Sequence, residues 1–521
     1  MATAVIVGGS VAGLASALAL SGAGYRVLVL ERAPEPPTGP AAQTAPLWER
    51  PTVPQTLQSH TLTSLGVRVL RERAPRVLAQ ALAAGARELD LTRALPAAAT
   101  GREREPGDDD LVALGCRRPV LELVLHRHVS ALPGVTFRHG TTVDALELDQ
   151  DGRRVRAVVT RTGGRIPADV VVDATGRRAL SRSWLRGCGI PLAEDLSGPS
   201  GLSGYSRCYR LKRPSASGEF PSALNRGHGV GDIWDHYAGV LHPGDNGTFS
   251  IALGTLPGDR ALSGLRTEAG FTAAATATPG IGPWLDPQVS EPLSTVHTMT
   301  SPPNSLWGPA SSRQYPVAGL FPVGDAACVT NPLFGRGLSL ALAHAFRLAD
   351  VLTERPRIDA AQRRAVARMT EELFLPWYTQ SVASDRARIA RWRSAVNGTP
   401  AWAGSASEGC LPTIEEIAAA AQRDGTVWRG LTRMLMTLST PAELFSDAEF
   451  LARVRRTPPS AGDGRPRPPA RAELVRQVIA AEAAPAAGAA VSVPGPRRSG
   501  SAAAAALAGA SRSLAAKGLA G

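Results

Sequence analysis

The stretch Val5-Ile6-Val7-Gly8-Gly9-Ser10-Val11-Ala12-Gly13-Leu14 decides the fold. An apolar β run at 3–7 feeds a glycine-rich turn, and the Ala/Leu-rich residues 12–22 read as a helix. Gly8 permits the tight turn, Gly9 and Ser10 keep it small, and Gly13 lets the helix pack on the sheet. Ser10 stands at the middle glycine position, which narrows the backbone's approach to a ligand. The helix N-terminus then aims backbone N–H groups and the positive end of its dipole at a pyrophosphate. Residues 26–30 form a second buried strand that ends on Glu31, with Arg32 beside it. A carboxylate there accepts hydrogen bonds from an adenosine ribose and disfavours a 2′-phosphate. The unit therefore reads as βαβ and dinucleotide-binding.

One such unit does not separate FAD from NAD. The segment from Gly319 to Gly337 does, through Gly324-Asp325 and then Asn331-Pro332-Leu333-Phe334-Gly335-Arg336-Gly337. A buried strand ending in Gly-Asp brings a carboxylate to a second sugar-phosphate such as a ribityl chain. The turn after it opens another helix, whose dipole can face the N1–C2=O edge of a flavin.

At these residues the chain resembles the class A (p-hydroxybenzoate hydroxylase-like) flavoprotein monooxygenases. The resemblance implies that Gly324 and Asp325 contact FAD and that Pro332, Gly335 and Gly337 line its isoalloxazine. Arg118, at the start of a helix, looks like that family's FAD-contacting arginine, with Arg117 a close rival. The segment Val53-Pro54-Gln55-Thr56-Leu57-Gln58-Ser59-His60 is similar to one in bacterial FAD epoxidases and hydroxylases of natural-product pathways, with Gln58 in place of a first histidine. It puts His60 near the flavin. The strand ending Val171-Val172-Asp173-Ala174-Thr175-Gly176 carries Thr175 where the family usually has aspartate. Asp173 is still expected on the FAD side, but direct NAD(P)H binding is in doubt, and a separate flavin reductase is the other electron source.

The resemblance implies an α/β fold: a Rossmann-like FAD-binding domain of the GR2 type, an inserted, mainly antiparallel β-sheet substrate domain and a helical C-terminal region. The expected division is 1–185 and 305–355 for the FAD domain, 186–304 for the substrate sheet, 356–455 for the helices and 456–521 for a disordered tail. Helices are read at 62–84, 119–131 and 336–354, and hairpins at Asp151-Gly152 and Gly163-Gly164. Within the tail, stretches at 471–483 and 501–517 have helical character but too little bulky apolar surface to dock. The substrate sheet is expected to present Tyr205, Tyr209, Trp234 and Tyr237 to the flavin. The reaction implied is insertion of one oxygen atom from O2 into a small apolar or aromatic molecule, by way of a C4a-hydroperoxyflavin, in secondary metabolism. A geranylgeranyl-reductase-like dehydrogenase and a flavin-dependent halogenase share the fold; the Trp-x-Trp-x-Ile-Pro signature of the halogenases is absent.

Composition removes other classes. The net charge is +12, but the excess is diffuse arginine and a basic tail, with Lys212 and Lys517 the only lysines, so nucleic acid is not an expected partner. The cysteines Cys116, Cys188, Cys208, Cys328 and Cys410 are widely spaced with no Cys-x-x-Cys pair, so neither a metal site nor a redox dithiol is expected. No run of 18 apolar residues exists, and the chain enters a strand without a basic leader. A cytoplasmic protein is the expectation.

Overall fold

A computed structural model of the chain describes residues 1–53, 55–213, 230–399, 411–456 and 467–484. Met1–Glu482 forms one compact unit, and Ala483–Gly521 a second, of which residues 483 and 484 are described. Pro54, Cys410 and the helical stretch read at 501–517 lie outside the described residues.

The opening βαβ unit forms as its sequence dictates. Thr3–Val7 pairs in parallel with Arg26–Leu30 on one side and Val170–Asp173 on the other. Leu320–Pro322 and Val135–Arg138 complete a five-stranded parallel sheet at its two edges. Alternation along the first strand sends Ala4 and Ile6 to one face and Val5 and Val7 to the other. The first face is covered by the helices Val11–Gly22, Arg118–Ser130 and Gly337–Glu354 through Leu14, Val124 and Leu348. The second is covered by the antiparallel meander Val143–Leu148, Val155–Thr160 and Arg165–Pro167, whose hairpins turn at Gly152 and Gly163, both at positive φ. Being buried on both faces is why Val170-Val171-Val172 reads as an unbroken apolar run.

The helical reading over 62–84 resolves into two helices, Ser64–Arg73 and Pro75–Ala83. Pro75 cannot donate into the first helix, and it starts the second at a first-turn position.

A separate antiparallel sheet is built around Ser203–Leu211, which pairs with Thr248–Thr255, Ser290–Pro292 and His297–Thr300. Ala238–Pro243 and Val230–Ile233 extend it. Directly opposed residues share a face, so Gly204, Ser206, Val240, Ala252 and Met299 lie on one side, and Tyr205, Tyr209, Leu241, Ile251 and Phe249 on the other. The aromatic side is closed by the helix Glu268–Ala277, by Trp284 and by the helix Arg471–Ala483. That last helix corrects an expectation: Leu474 and Val478 are buried in the aromatic cluster, and Arg471 pairs with Asp259 at 2.7 Å. Two small apolar side chains are enough because the sheet already supplies the aromatic surface they cover.

After the helix Gly337–Glu354 comes a 38-residue helix, Ala360–Asn397. Asp359 caps its start on the Gln362 N–H at 2.9 Å, and Gly398, at positive φ, ends it. Four shorter helices fill 414–456. Among the described residues no helix is long and apolar enough to cross a membrane.

Candidate functional site

A cavity of about 460 Å³ lies between the parallel sheet's C-terminal edge and the small-residue face of the antiparallel sheet. The glycine-rich turn forms its floor. Gly8 is at φ +110°, and a Cβ on it would lie 2.4 Å from the carbonyl oxygen of Ala174. A Cβ on Gly13 would lie 1.8 Å from the carbonyl oxygen of Gly8. Any side chain at either position forces the turn open, so the close backbone approach that a pyrophosphate needs is built in.

Glu31 accepts from the Gly9 N–H at 2.7 Å and the Ala33 N–H at 2.8 Å. Its carboxylate is thereby fixed at the cavity wall, with Arg32 at the rim. Behind it stands Arg50, a residue with no motif in its Pro/Ala/Thr-rich loop to signal it. Its guanidinium reaches Glu122 at 2.7 Å, Glu31 at 3.6 Å and the Gly9 carbonyl at 3.3 Å.

The rival arginines separate cleanly. Arg118 lines the cavity and donates to Ser10 Oγ at 3.2 Å. Arg117 turns away into a buried pair with Asp245 at 2.6 Å. Asp325 lines the cavity, and among the described residues no donor reaches its carboxylate. Burial raises its pKa above the ordinary range, while the Arg118 and Arg177 cations pull the other way. An unpartnered carboxyl there is what a ribityl hydroxyl would satisfy. Pro332, Gly335 and Gly337 line the same cavity, with Gly335 in the left-handed region at φ +65° as the helix Gly337–Glu354 begins. Gly324, expected to contact FAD, does not itself line the cavity; its N–H donates to the buried Nδ1 of His344 at 3.2 Å and so anchors the turn from behind.

Asp173 does not line the cavity, contrary to expectation. It is fully buried and accepts from the Thr175 N–H at 3.0 Å, the Thr175 hydroxyl at 2.6 Å and the Ser181 N–H at 2.6 Å. Its work is to hold the turn whose Ala174, Thr175, Gly176 and Arg177 do face the cavity.

The residues fit an FAD: two helix N-termini, glycine positions that admit no side chain, a fixed carboxylate at one end and an unpartnered one in the middle. Residues 1–190 match the family model described as the FAD binding domain. These residues are an FAD binding domain. The chain is 27% identical over 402 residues to Protein Rv3254 of Mycobacterium tuberculosis (strain ATCC 25618 / H37Rv), a match that covers 71% of this chain and 78% of the relative. Among solved structures it is similar in fold to pqsL, a probable FAD-dependent monooxygenase from Pseudomonas aeruginosa. The TM-score is 0.55 at 15% identity, over 76% of this chain and 100% of that one. A triple mutant of the flavin-dependent brominase Bmp2 gives a TM-score of 0.56 at 16% identity, over 86% and 98%. The resemblance to the class A flavoprotein monooxygenases holds in the FAD domain and in the fold.

The cavity wall formed by the antiparallel sheet differs from expectation. Tyr205, Tyr209, Trp234 and Tyr237 do not line the cavity. Tyr209 stacks on Phe249 at 5.3 Å, Tyr237 donates to or accepts from Thr278 at 3.3 Å, and Trp234 tilts onto Tyr237 at 4.8 Å. These aromatics belong to the covered face of the sheet. The wall is made instead by Gly204, Ser206, Val240, Ala252 and Met299. A period of two fixes which residues share a face, not which face is covered.

The segment 55–60 crosses this wall and is stitched to it. Ser206 Oγ donates to Gln58 Oε1 at 2.7 Å, and the Ser59 and Ser250 hydroxyls meet at 2.8 Å. His60 faces the cavity, its Nδ1 2.8 Å from the Gln58 carbonyl. Burial, with the Arg118 cation and His242 nearby, pushes its pKa down to about 3, so its imidazole is neutral at physiological pH. Beyond this segment lies a second chamber of about 270 Å³, reached past Gln58, His60 and Arg118 and lined by Leu57, Cys116, Val120, Cys208, Phe249 and Leu293.

Proposed function

We propose that the flavoenzyme is a monooxygenase that inserts one oxygen atom from O2 into a small, uncharged, apolar or aromatic molecule. The observation that carries this reading is the pairing of the two walls: FAD-holding turns face a surface of glycine, serine, valine, alanine, leucine and methionine that also carries His242. FAD, when bound and reduced, supplies the oxygen activation, and the protein need supply only position and dryness.

The chain's own residues are suited to that division. Gly8, Gly9, Ser10, Glu31, Arg118 and Asp325 bind the cofactor along its length, with Arg32 at its adenosine end and Gly13 packed behind the turn against the Gly8 carbonyl. Pro332, Gly335 and Gly337 orient its ring end against the sheet. His60 is neutral, so it can hold a substrate hydroxyl or carbonyl by a hydrogen bond without bringing a charge to the cavity. The adjoining chamber's two arginines are paired, Arg117 with Asp245 at 2.6 Å and Arg118 with Glu122 at 3.5 Å. Its thiols, Cys116 and Cys208, are pushed up by burial and remain protonated. An uncharged substrate part is what such walls favour, since an unpaired charge there would lose its hydration without compensation.

Electrons come from NAD(P)H, either directly or through a separate flavin reductase. We favour the separate reductase because the Thr175 side chain, at the position the resemblance assigns to nicotinamide binding, is turned inward onto Asp173. The reading places the protein in the cytoplasm, where reduced nicotinamide is available, and in secondary metabolism.

The test is mass-spectrometric. Purified protein with FAD, reduced anaerobically by a flavin reductase and NADH, is mixed with ¹⁸O2 and a library of neutral aromatics and alkenes. Products bearing one ¹⁸O atom are expected. Products formed only with bromide or chloride would establish a halogenase, and reduction of a C=C bond without O2 would establish a reductase.

A further inference from the structure

The long helix Ala360–Asn397 is far from the phosphate turns in sequence, yet it reaches the ring end of the cavity with a buried carboxylate. Asp385 is fully buried. It accepts from Asn331 Nδ2 at 2.7 Å, from Asn304 Nδ2 at 2.8 Å and from Arg388 Nη2 at 2.9 Å. Asn331 is the residue immediately before Pro332. Its side chain points away from the cavity, and its Oδ1 accepts from the Leu333 N–H at 2.9 Å, capping the short turn Pro332–Phe334. Its own N–H donates to Asn304 Oδ1 at 2.7 Å. Arg388 extends the network to the substrate sheet: it donates to the carbonyls of Ser200 and Gly201, two residues that lead into the cavity-lining strand Ser203–Leu211.

The same helix grips the other end of the turn. Arg336 is buried, donates to Gln380 Oε1 at 2.7 Å, and lies between the rings of Phe334 and Trp377, 4.7 Å from each centroid. The turn from Asn331 to Arg336 is therefore held from behind at both ends by one helix.

We infer that Asp385 is a positioning residue for the flavin: through Asn331 it fixes the Pro332–Gly337 turn, and through Arg388 it sets that turn's distance from the substrate sheet. This rests on the reading that Pro332, Gly335 and Gly337 face the isoalloxazine. A carboxylate suits the task because three donors from three elements converge on it, and charge-assisted hydrogen bonds are shorter and stronger than neutral ones. An asparagine in its place would turn an NH2 group toward at least one of those donors.

The experiment measures FAD dissociation constant and flavin midpoint potential in the full chain for Asp385→Asn, for the exchange Asn331→Asp/Asp385→Asn, and for Asp108→Asn. Asp108 pairs with Arg429 in a buried site away from the cavity, so its variant reports the effect of general destabilisation. Asp385→Asn is expected to weaken FAD binding at least tenfold and to shift the midpoint potential. The exchange restores the matched 331–385 donor and acceptor but leaves Arg388 facing an NH2 group, so it should recover part of both. Asp108→Asn should leave both unchanged. Unaltered FAD affinity and potential in Asp385→Asn would overturn the inference. So would equal losses in Asp108→Asn, or an exchange no better than the single variant. Wild-type protein that takes up no FAD would instead overturn the reading on which the inference rests.

Discussion

The two walls of the cavity are built on different rules. The FAD wall is backbone: glycines at Gly8 and Gly13 that no side chain could replace, helix N-termini, and the Glu31 carboxylate fixed by N–H groups. The sheet wall is side chains, chosen by alternation, with small residues inward and aromatics packed behind. Backbone requirements leave a rigid sequence signature. Alternation leaves only a parity. The first wall should therefore fail all at once when altered, and the second by degrees.

The largest effect is expected at Gly13→Val. Its Cβ alone collides with the Gly8 carbonyl, so FAD occupancy should fall by about a hundredfold or more, the scale of several lost charge-assisted hydrogen bonds. Flavin absorbance per protein after desalting measures it. Full occupancy would show that the turn does not hold the pyrophosphate.

Behind the sheet wall, Tyr209→Ala removes a buried ring stacked on Phe249, which should cost about 3 to 5 kcal/mol of stability. Denaturant unfolding gives the number. Because Tyr209 faces away from the cavity, product distribution in the cold should be unchanged; an altered distribution would return Tyr209 to the substrate side.

On the inner face of the same sheet, Ala252→Phe should do the reverse. It fills space opposite the flavin turn, so kcat/KM for any substrate turned over should drop roughly 10- to 200-fold. FAD content should stay at the wild-type level. Loss of FAD with turnover would mean that the two walls are not separable.

The smallest effect is a slope. Behind the FAD wall stands His344, its pKa pushed down to about 3 by burial. Its folded pKa lies below the ordinary 6.5. The unfolded chain therefore takes the proton first, and stability present above that value is lost as pH falls toward about 3. His60 and His126 act in the same direction. His344→Gln should flatten the stability curve in this range by at most one proton, about 1.4 kcal/mol per pH unit. An unchanged slope would mean that His344 is protonated in the fold.

The same contrast explains how much of the molecule is legible in the sequence. The parallel sheet, the cofactor and the cavity position of Arg118 come from residues whose types are dictated by a turn, a helix start or a phosphate. The four aromatics escape such reading because Tyr205 and Ser206 are equally good strand residues, and only the distant helices Glu268–Ala277 and Arg471–Ala483 decide which side is covered. Asp173 sits at the end of a nucleotide-domain strand, as a ligand would. Its three donors come from residues two and eight positions on, a local turn that no spacing rule marks. Arg50 and Asp385 carry no motif at all, since each acts through partners distant in the chain.

The parallel sheet has one edge strand, Leu320–Pro322, that is synthesised last of the five. Its neighbour Val170–Asp173 leaves the ribosome some 150 residues earlier, a delay of roughly eight to thirty seconds at ordinary elongation rates. Through that interval a row of valines presents an open hydrogen-bonding edge, the geometry by which nascent chains pair with the wrong strand. The intervening sheet forms its antiparallel ladder in that interval, but its aromatic face stays open until the helix Arg471–Ala483 is made. Production of this enzyme should accordingly respond more to translation speed and chaperone supply than to the stability of the finished protein.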